Sequence, residues 1–216
     1  RQRQPRDVAV SAERASARET AMRVAVGGVA KALLSAVGIE VLGYVVAIGD
    51  VVAPPLDLPW QELAAHADAS PVRCPDASAA QAMVERIGAA REAGDTLGGI
   101  VQVEALGLPP GLGAYVHPDR RLDGRLGAAL FAIPAIKGVE IGPAFANSRL
   151  PGSQVHDSLR LQAGRLARPT NRAGGLEGGM TTGQPLVVRA AMKPIPTTRR
   201  PQPSLDLATG REAETL

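Results

Sequence analysis

"NRAGGLEGGMTTGQP", residues 171–185, runs without a break into "LVVRAAMKPIPT", residues 186–197. The first piece holds five glycines in fifteen residues and no aromatic side chain. Consecutive glycines admit positive φ and let main-chain amides approach a ligand or another chain segment with no β-carbon in the way. The second piece turns apolar and β-branched at Leu186, Val187 and Val188, and Pro194 and Pro196 stiffen its end. The expectation is a glycine-rich loop, then a strand over 185–194, then a rigid exit carrying Lys193. Such a loop on its own equally suits a flexible surface connection. It is neither G-x-G-x-x-G after a strand nor G-x-x-x-x-G-K-[ST], so neither dinucleotide nor P-loop binding is supported.

Working outward, "SARE" (Ser16 to Glu19) has the form of a capping box that opens a helix. Met22, Val26, Val29, Leu33 and Val37 follow at helical spacing, and Gly38 is a natural stop. The many small residues between them predict a helix packed closely on more than one side. Residues 39–52 read as a strand. Residues 53–77 are proline-rich and read as an excursion with at most a short helix. Residues 78–96 read as an amphipathic helix capped by Ser78, with Met83 and Ile87 on one face, ended by Gly94. Residues 97–109 alternate as a strand with one partly polar face. Residues 125–136 read as a short helix broken near Pro134, and "KGVEIGPAFA" as a strand. Residues 146–170 read as polar connection, and "SLDLAT" as a short strand. The order α, β, α, β, α, β, β supports an α+β or layered α/β domain, with connections too irregular for a doubly wound sheet.

Composition narrows the function classes. The chain has 216 residues, 45% hydrophobic and 21% charged, enough for a real core and unlike a disordered polyelectrolyte. Aromatics are 2%, so a base-stacking surface is not available. The net charge of +3 is a mild excess, and no groove-entering motif accompanies it; nucleic acid is not an expected partner. Arginines in clusters suit a small polyanion, though a single Arg more often serves as solvated surface. Cys74 is the one cysteine, and His66, His117 and His156 lack metal-ligand spacing, so no metal site is expected. The apolar region 21–53 is interrupted by Arg23, Lys31, Glu40 and Asp50, which argues against a membrane span. No signal peptide is recognisable, and the expected location is cytoplasmic.

Six stretches then occur in order: "ERASARET", "GDTLGG", "AIKGVEIG", "NRAGGLEGGMT.GQP", "VRAAMKPI" and "DLATG". Together they resemble chorismate synthase, most closely its actinobacterial form, from about Ala12 to the end of the chain. The opening "RQRQPRDVAV", residues 1–10, does not resemble the family, and 11–216 look like the central part of a single domain. The resemblance implies an incomplete α+β fold, a layered β-α-β sandwich with helices between sheets, assembled as a homotetramer. It implies a lyase that eliminates phosphate from 5-enolpyruvylshikimate 3-phosphate to give chorismate, the last step of the shikimate pathway towards aromatic amino acids. Reduced FMN is the implied cofactor. NADP comes with the family as an associated nucleotide, and nothing here looks like a built-in flavin reductase.

Position by position, the resemblance implies flavin contacts at Arg14, Ala15 and Ser16, which match an R-[AS]-S turn, and at Gly178 through its backbone. Lys193, Pro194, Ile195, Pro196 and Thr197 match the segment that wraps the FMN, and Pro134 and Ala135 fall where Asn-Ala or Gln-Ala meets the ring. Three departures stand out: Pro134 in place of an amide side chain, Thr182 in place of Asn, and Pro143-Ala144 in place of Asp-Gly. The "SHG", "RPGHAD" and "RSD…VP" motifs that carry the family's acid–base residues are absent, so no catalytic residue is assigned. The expectation is an internal fragment, lacking N- and C-terminal regions and inactive alone. The alternative is a non-catalytic or decayed homologue that keeps only flavin or anion binding.

Overall fold

A helix ends where its carbonyls find partners outside it, and Gly38 supplies the means. Its φ of 79° turns the chain so that its amide donates to Ser35 O at 3.0 Å and the Ile39 amide donates to Leu34 O at 2.9 Å. These are the two bonds of a Schellman stop, and they close helix α1, Ala17–Ala36. The computed structural model describes residues 17–206 and 209–214. The proposed capping serine, Ser16, lies outside them.

Strand β1 (Glu40–Ile48) turns through Gly49 and Asp50 into β2 (Val51–Val52), pairing Ile48 with Val51. Gly49 takes φ 57° at the first central position, as tight hairpins favour. The single strand expected over 39–52 is thus a hairpin. Helices α2 (Trp60–Ala69) and α3 (Ala77–Glu92) follow, then β3 (Gly99–Leu106), α4 (Leu122–Phe131), β4 (Ile136–Ile141) and the one-turn α5 (Ala144–Asn147). Three hairpins' worth of short strands and one long strand complete the chain. They are β5 (Arg160–Gln162), β6 (Arg165–Ala167), β7 (Leu176–Glu177), β8 (Met180–Thr181), β9 (Leu186–Met192), β10 (Pro203–Asp206) and β11 (Arg211–Glu214). Five strands hydrogen-bond in the order β2-β1-β3-β9-β4. The architecture is the expected mixture of helices and sheet.

The chain divides into two compact units. In the first, residues 1–43 with 102–190, Ala105, Leu176, Leu186 and Val188 are buried. Leu122, Leu126 and Leu130, one helical turn apart along α4, pack against them with Val139 and Ile141 of β4. Burying such side chains contributes about 2 kcal/mol each. In contrast, α1 does not pack as its sequence suggests. Val29 is 73% exposed and Leu33 69%, and a β-carbon at Gly27 or Gly28 would meet nothing within 4 Å. Apolar spacing suits a buried face, but Val29 and Leu33 lie open among the described residues, and the stripe meets the rest of the unit only across a gap. Beneath α1 an apolar cavity of about 850 Å³ is lined by Met22, Val26, Val103, Val188, Leu126 and Leu130.

In the second unit, residues 44–101 with 191–216, Met83 and Cys74 are the largest fully buried side chains, packed with Val45, Ile48 and Val51. Burial pushes the Cys74 thiol up in pKa, in keeping with an inert core position. The cap of α3 is Asp76, not Ser78: Asp76 is extended, and its Oδ1 accepts from the Ala79 amide at 2.6 Å. Ile87 shares the face of Met83 yet is 40% exposed. The strand expected at "SLDLAT" is β10, and its partner β11 was not anticipated, because "REAE" is polar and its four residues stay exposed.

Two tests follow from this packing. Val29→Gln and Leu33→Gln should each change stability by no more than about 0.5 kcal/mol, as surface changes do. Both should reduce binding of an apolar dye. A loss above about 2 kcal/mol in a urea melt would mean that this face is packed. In the turn between β7 and β8, Gly178 and Gly179 both take positive φ, at 59° and 83°. A β-carbon at Gly178 meets nothing, whereas one at Gly179 would lie 2.7 Å from Arg121 Cγ and 3.0 Å from Ala114 O. Gly178→Ala should therefore cost about 1 kcal/mol, the left-handed strain alone. Gly179→Ala should cost about 3 kcal/mol, strain plus overpacking. The comparison is made by urea titration, and the reverse order would contradict the described surroundings.

Candidate functional site

The glycines at the centre of the sequence have a packing reason first. Gly142, just after β4, lies so close to Gly174 that a β-carbon on either would strike the other's backbone. One at Gly175 would sit 2.5 Å from Pro185 O. The loop is drawn in by Val187 of β9, whose carbonyl accepts from the Gly142 amide at 2.8 Å and whose amide donates to Gly174 O at 3.0 Å. Two consecutive left-handed residues then turn the chain from β7 to β8, pairing Glu177 with Met180. Gly179 is buried in this turn and Gly178 is exposed, so Gly178 presents bare main chain to open space. A flat ring or an anion can approach such a surface without meeting a side chain.

Side chains substitute here for regular secondary structure. Asp157, 8% exposed, accepts from the Thr170 hydroxyl at 2.5 Å and the Arg172 amide at 2.8 Å through Oδ1, and from the Ala173 amide at 2.8 Å through Oδ2. Burial pushes its carboxyl up, but the Thr170 hydroxyl, the two amides and the Arg168 guanidinium outweigh this and hold it below the usual carboxylate range. Asn171 donates to Pro185 O and accepts from the Gly175 amide, both at 2.8 Å. Arg168 forks onto both carboxylate oxygens of Glu177 at 3.0 Å and donates to Asp157 O at 3.3 Å. On the far side of the turn, Thr181 Oγ1 donates to Pro109 O at 2.6 Å and accepts from the Leu112 amide at 2.9 Å. Arg121 passes against Gly179 and forks onto Asp123 at 3.0 and 2.5 Å, and that hydrogen bonding lowers the Asp123 pKa.

The same unit holds Pro134 and Ala135. They form the centre of a turn in which the Ile136 amide donates to Ile133 O at 3.2 Å, with Ala135 at φ 69°. Pro134 occupies the position where proline is favoured and Ala135 the one where glycine is usual. Pro143, where Asp was expected, precedes α5, and Thr182 keeps a main-chain role, its amide donating to Gly175 O at 2.9 Å.

The second unit holds Lys193, Pro194, Ile195, Pro196 and Thr197, all exposed. The run is anchored at its centre by the Thr96 hydroxyl, which donates to Ile195 O at 2.6 Å. Beyond it, the Arg199 amide donates to Gly94 O at 2.9 Å and Arg200 Nε to Ala93 O at 3.0 Å. Two prolines and these bonds leave Lys193 and Thr197 presented on a fixed backbone. Arg14, Ala15 and Ser16 lie outside the described residues. Pro134, Ala135 and Gly178 thus belong to one unit and 193–197 to the other. Within the first, Pro134 and Ala135 follow the C-terminal end of α4, whereas the Gly178 turn meets its N-terminal end, where the Leu122 amide donates to Gly179 O at 2.9 Å.

Asp157 was not anticipated, because 146–170 read as polar connection; Arg168 belongs to the clustered arginines read as suited to a small polyanion, and here it forks onto Glu177. The only trace in the sequence was an acid and an arginine flanking a short alternating stretch, Arg160 to Ala167. His66, His117 and His156 are all exposed. Among the described residues, no group of three His, Cys, Asp or Glu could hold a metal ion, and no helix is long and apolar enough to cross a membrane.

Comparison with known proteins gives one consistent answer. The family model for chorismate synthase matches residues 2–216, a span that takes in all but the first residue of the opening stretch in which no family motif was recognised. The chain is 56% identical over 211 residues to a chorismate synthase of Acidothermus cellulolyticus, covering 97% of this chain and 54% of that protein. It is 58% identical over 203 residues to one of Symbiobacterium thermophilum, covering 93% and 52%, and 56% identical over 209 residues to one of Mycobacterium avium, covering 93% and 50%. A crystal structure of chorismate synthase superimposes with a TM-score of 0.82 at 43% identity, covering 88% of this chain and 60% of that one. The chain therefore spans about half the length of the curated relatives it matches. On its sequence and its fold alike, this chain belongs to the chorismate synthase family.

Proposed function

We propose that these residues serve a chorismate synthase: a lyase that removes phosphate from C3 and hydrogen from C6 of 5-enolpyruvylshikimate 3-phosphate, using reduced FMN. The observation that carries the reading is the bare, rigidly framed main chain at Gly178, in a chain 56% identical to a chorismate synthase. Reduced FMN would lend an electron to the elimination and recover it, chemistry that no side chain supplies. The exposed residues fit such a group. Gly178 leaves room for a flat ring, since a β-carbon there would meet nothing within 4 Å.

In the other unit, Lys193 offers an ammonium to a phosphate and Thr197 a hydroxyl. Pro194 and Pro196 lower the cost of ordering that segment by fixing its φ in advance. Gly178, Pro134, Ala135 and the run 193–197 are each proposed as flavin-binding residues, as are Arg14, Ala15 and Ser16. We propose further a cytoplasmic location, a homotetrameric assembly and no turnover by this chain in isolation.

One observation favours a second reading, a homologue that binds flavin without catalysis. Pro134 can donate no main-chain hydrogen bond and brings no side-chain amide to a position where the family carries one.

FMN titrated into the purified 216-residue chain should show saturable quenching of flavin fluorescence, tighter when 5-enolpyruvylshikimate 3-phosphate is present. Lys193→Ala should weaken binding about tenfold, the loss expected of one charge-assisted contact. Absence of quenching in the unaltered chain would overturn the reading for this chain.

A further inference from the structure

Asp157 is a buried carboxylate with no place in the proposed chemistry, yet its side chain accepts three hydrogen bonds from the loop that leads to the Gly178 turn. Between β6 and β7 the chain forms no ladder, so the amides at Arg172 and Ala173 have no strand to donate to. Asp157 accepts both, at 2.8 Å each, and the Thr170 hydroxyl as well. Asn147 Nδ2 donates to the Arg172 carbonyl at 2.8 Å, completing that peptide's bonding from the other side. A second link runs through Arg168, which donates to the Asp157 carbonyl and forks onto Glu177, the residue before Gly178. Arg168 and, through it, Glu177 are the charged groups that face Asp157.

We infer that Asp157 is a positioning residue for the flavin-facing turn. Its carboxylate fixes 170–173, and the Arg168 fork carries that fixed point to Glu177 and hence to Gly178. The inference rests on the reading of Gly178 as a flavin contact. Without the carboxylate, two half-buried amides and the hydroxyl of the exposed Thr170 lose their acceptor, and the loop opens to let water satisfy them. An open loop presents Gly178 in many orientations rather than one, and a ligand then binds with its ordering cost added.

The test combines hydrogen exchange with FMN titration, both well below the melting temperature. Asp157→Asn keeps the size but sets a donor against the Ala173 amide. It should speed exchange of amides 172–179 at least tenfold and weaken FMN binding at least tenfold, with protection in β9 unchanged. Thr170→Val removes one of the three donors and should move both quantities the same way by a few fold, which serves if the first variant does not fold. Asp68→Asn, at an exposed pair in the other unit, should move neither. Faster exchange with FMN affinity within twofold of the unaltered chain would make Asp157 a stabilising residue only and overturn the inference. Lack of FMN binding by the unaltered chain would instead overturn the flavin reading, and exchange would still decide whether Asp157 holds the loop.

Discussion

The main chains at Gly142 and Gly174 touch with no room for a side chain between them. Much of the first unit depends on that contact. It places the end of β4 and the glycine-rich loop on opposite bonds of one residue, Val187 of β9. Any larger residue at either position would push the loop off the strand, unseat Leu176 from the buried cluster and swing the β7–β8 turn away. The close approach is geometric and contributes little attraction of its own. What keeps the two backbones together is the set of bonds around it: Asp157 to 170–173, Asn171 to Gly175 and Pro185, and Thr181 to Pro109 and Leu112. Side-chain acceptors and donors here do the work that strand ladders do elsewhere.

That division explains what could be read from the sequence. Helices α1 and α3 and strands β3 and β9 were legible because their apolar residues recur with a fixed period, and Gly38 and Gly94 mark helix ends by a conformation few other residues accept. The hairpin β5–β6, the strand β11 and the hub at Asp157 were not legible. Their residues are exposed, or their bonds join positions 13 to 16 apart with no repeat between them. The cap at Asp76 was missed for a related reason: Ser78 and Asp76 are both good cap residues, and only the extended backbone at Asp76 decides between them. Of the candidate site, Gly178 and the run 193–197 were found by resemblance. The proline-stiffened exit was legible from Pro194 and Pro196 themselves, whereas nothing in the run of glycines says that Gly178 is the open one and Gly179 the buried one.

Helix α1 shows the limit of periodicity from the other direction. Its spacing predicted burial, and the helix formed, but Met22, Val26, Val29 and Leu33 stay exposed. A helix with that much apolar surface has its place inside a layered structure.

The turn at Pro134 and Ala135 sets the phase between a helix and a strand. Proline fixes one φ, and alanine is held in the left-handed region beside it, so the joint has essentially one shape. Leu122, Leu126 and Leu130 of α4 face the buried cluster only while that shape is kept. Adding a single residue to the joint would break the bond from the Ile136 amide to Ile133 O and loosen the tie between the end of α4 and the start of β4. The connection therefore acts as a keyed coupling: its length matters as much as its composition, and an insertion there would be more damaging than most substitutions in the helix itself.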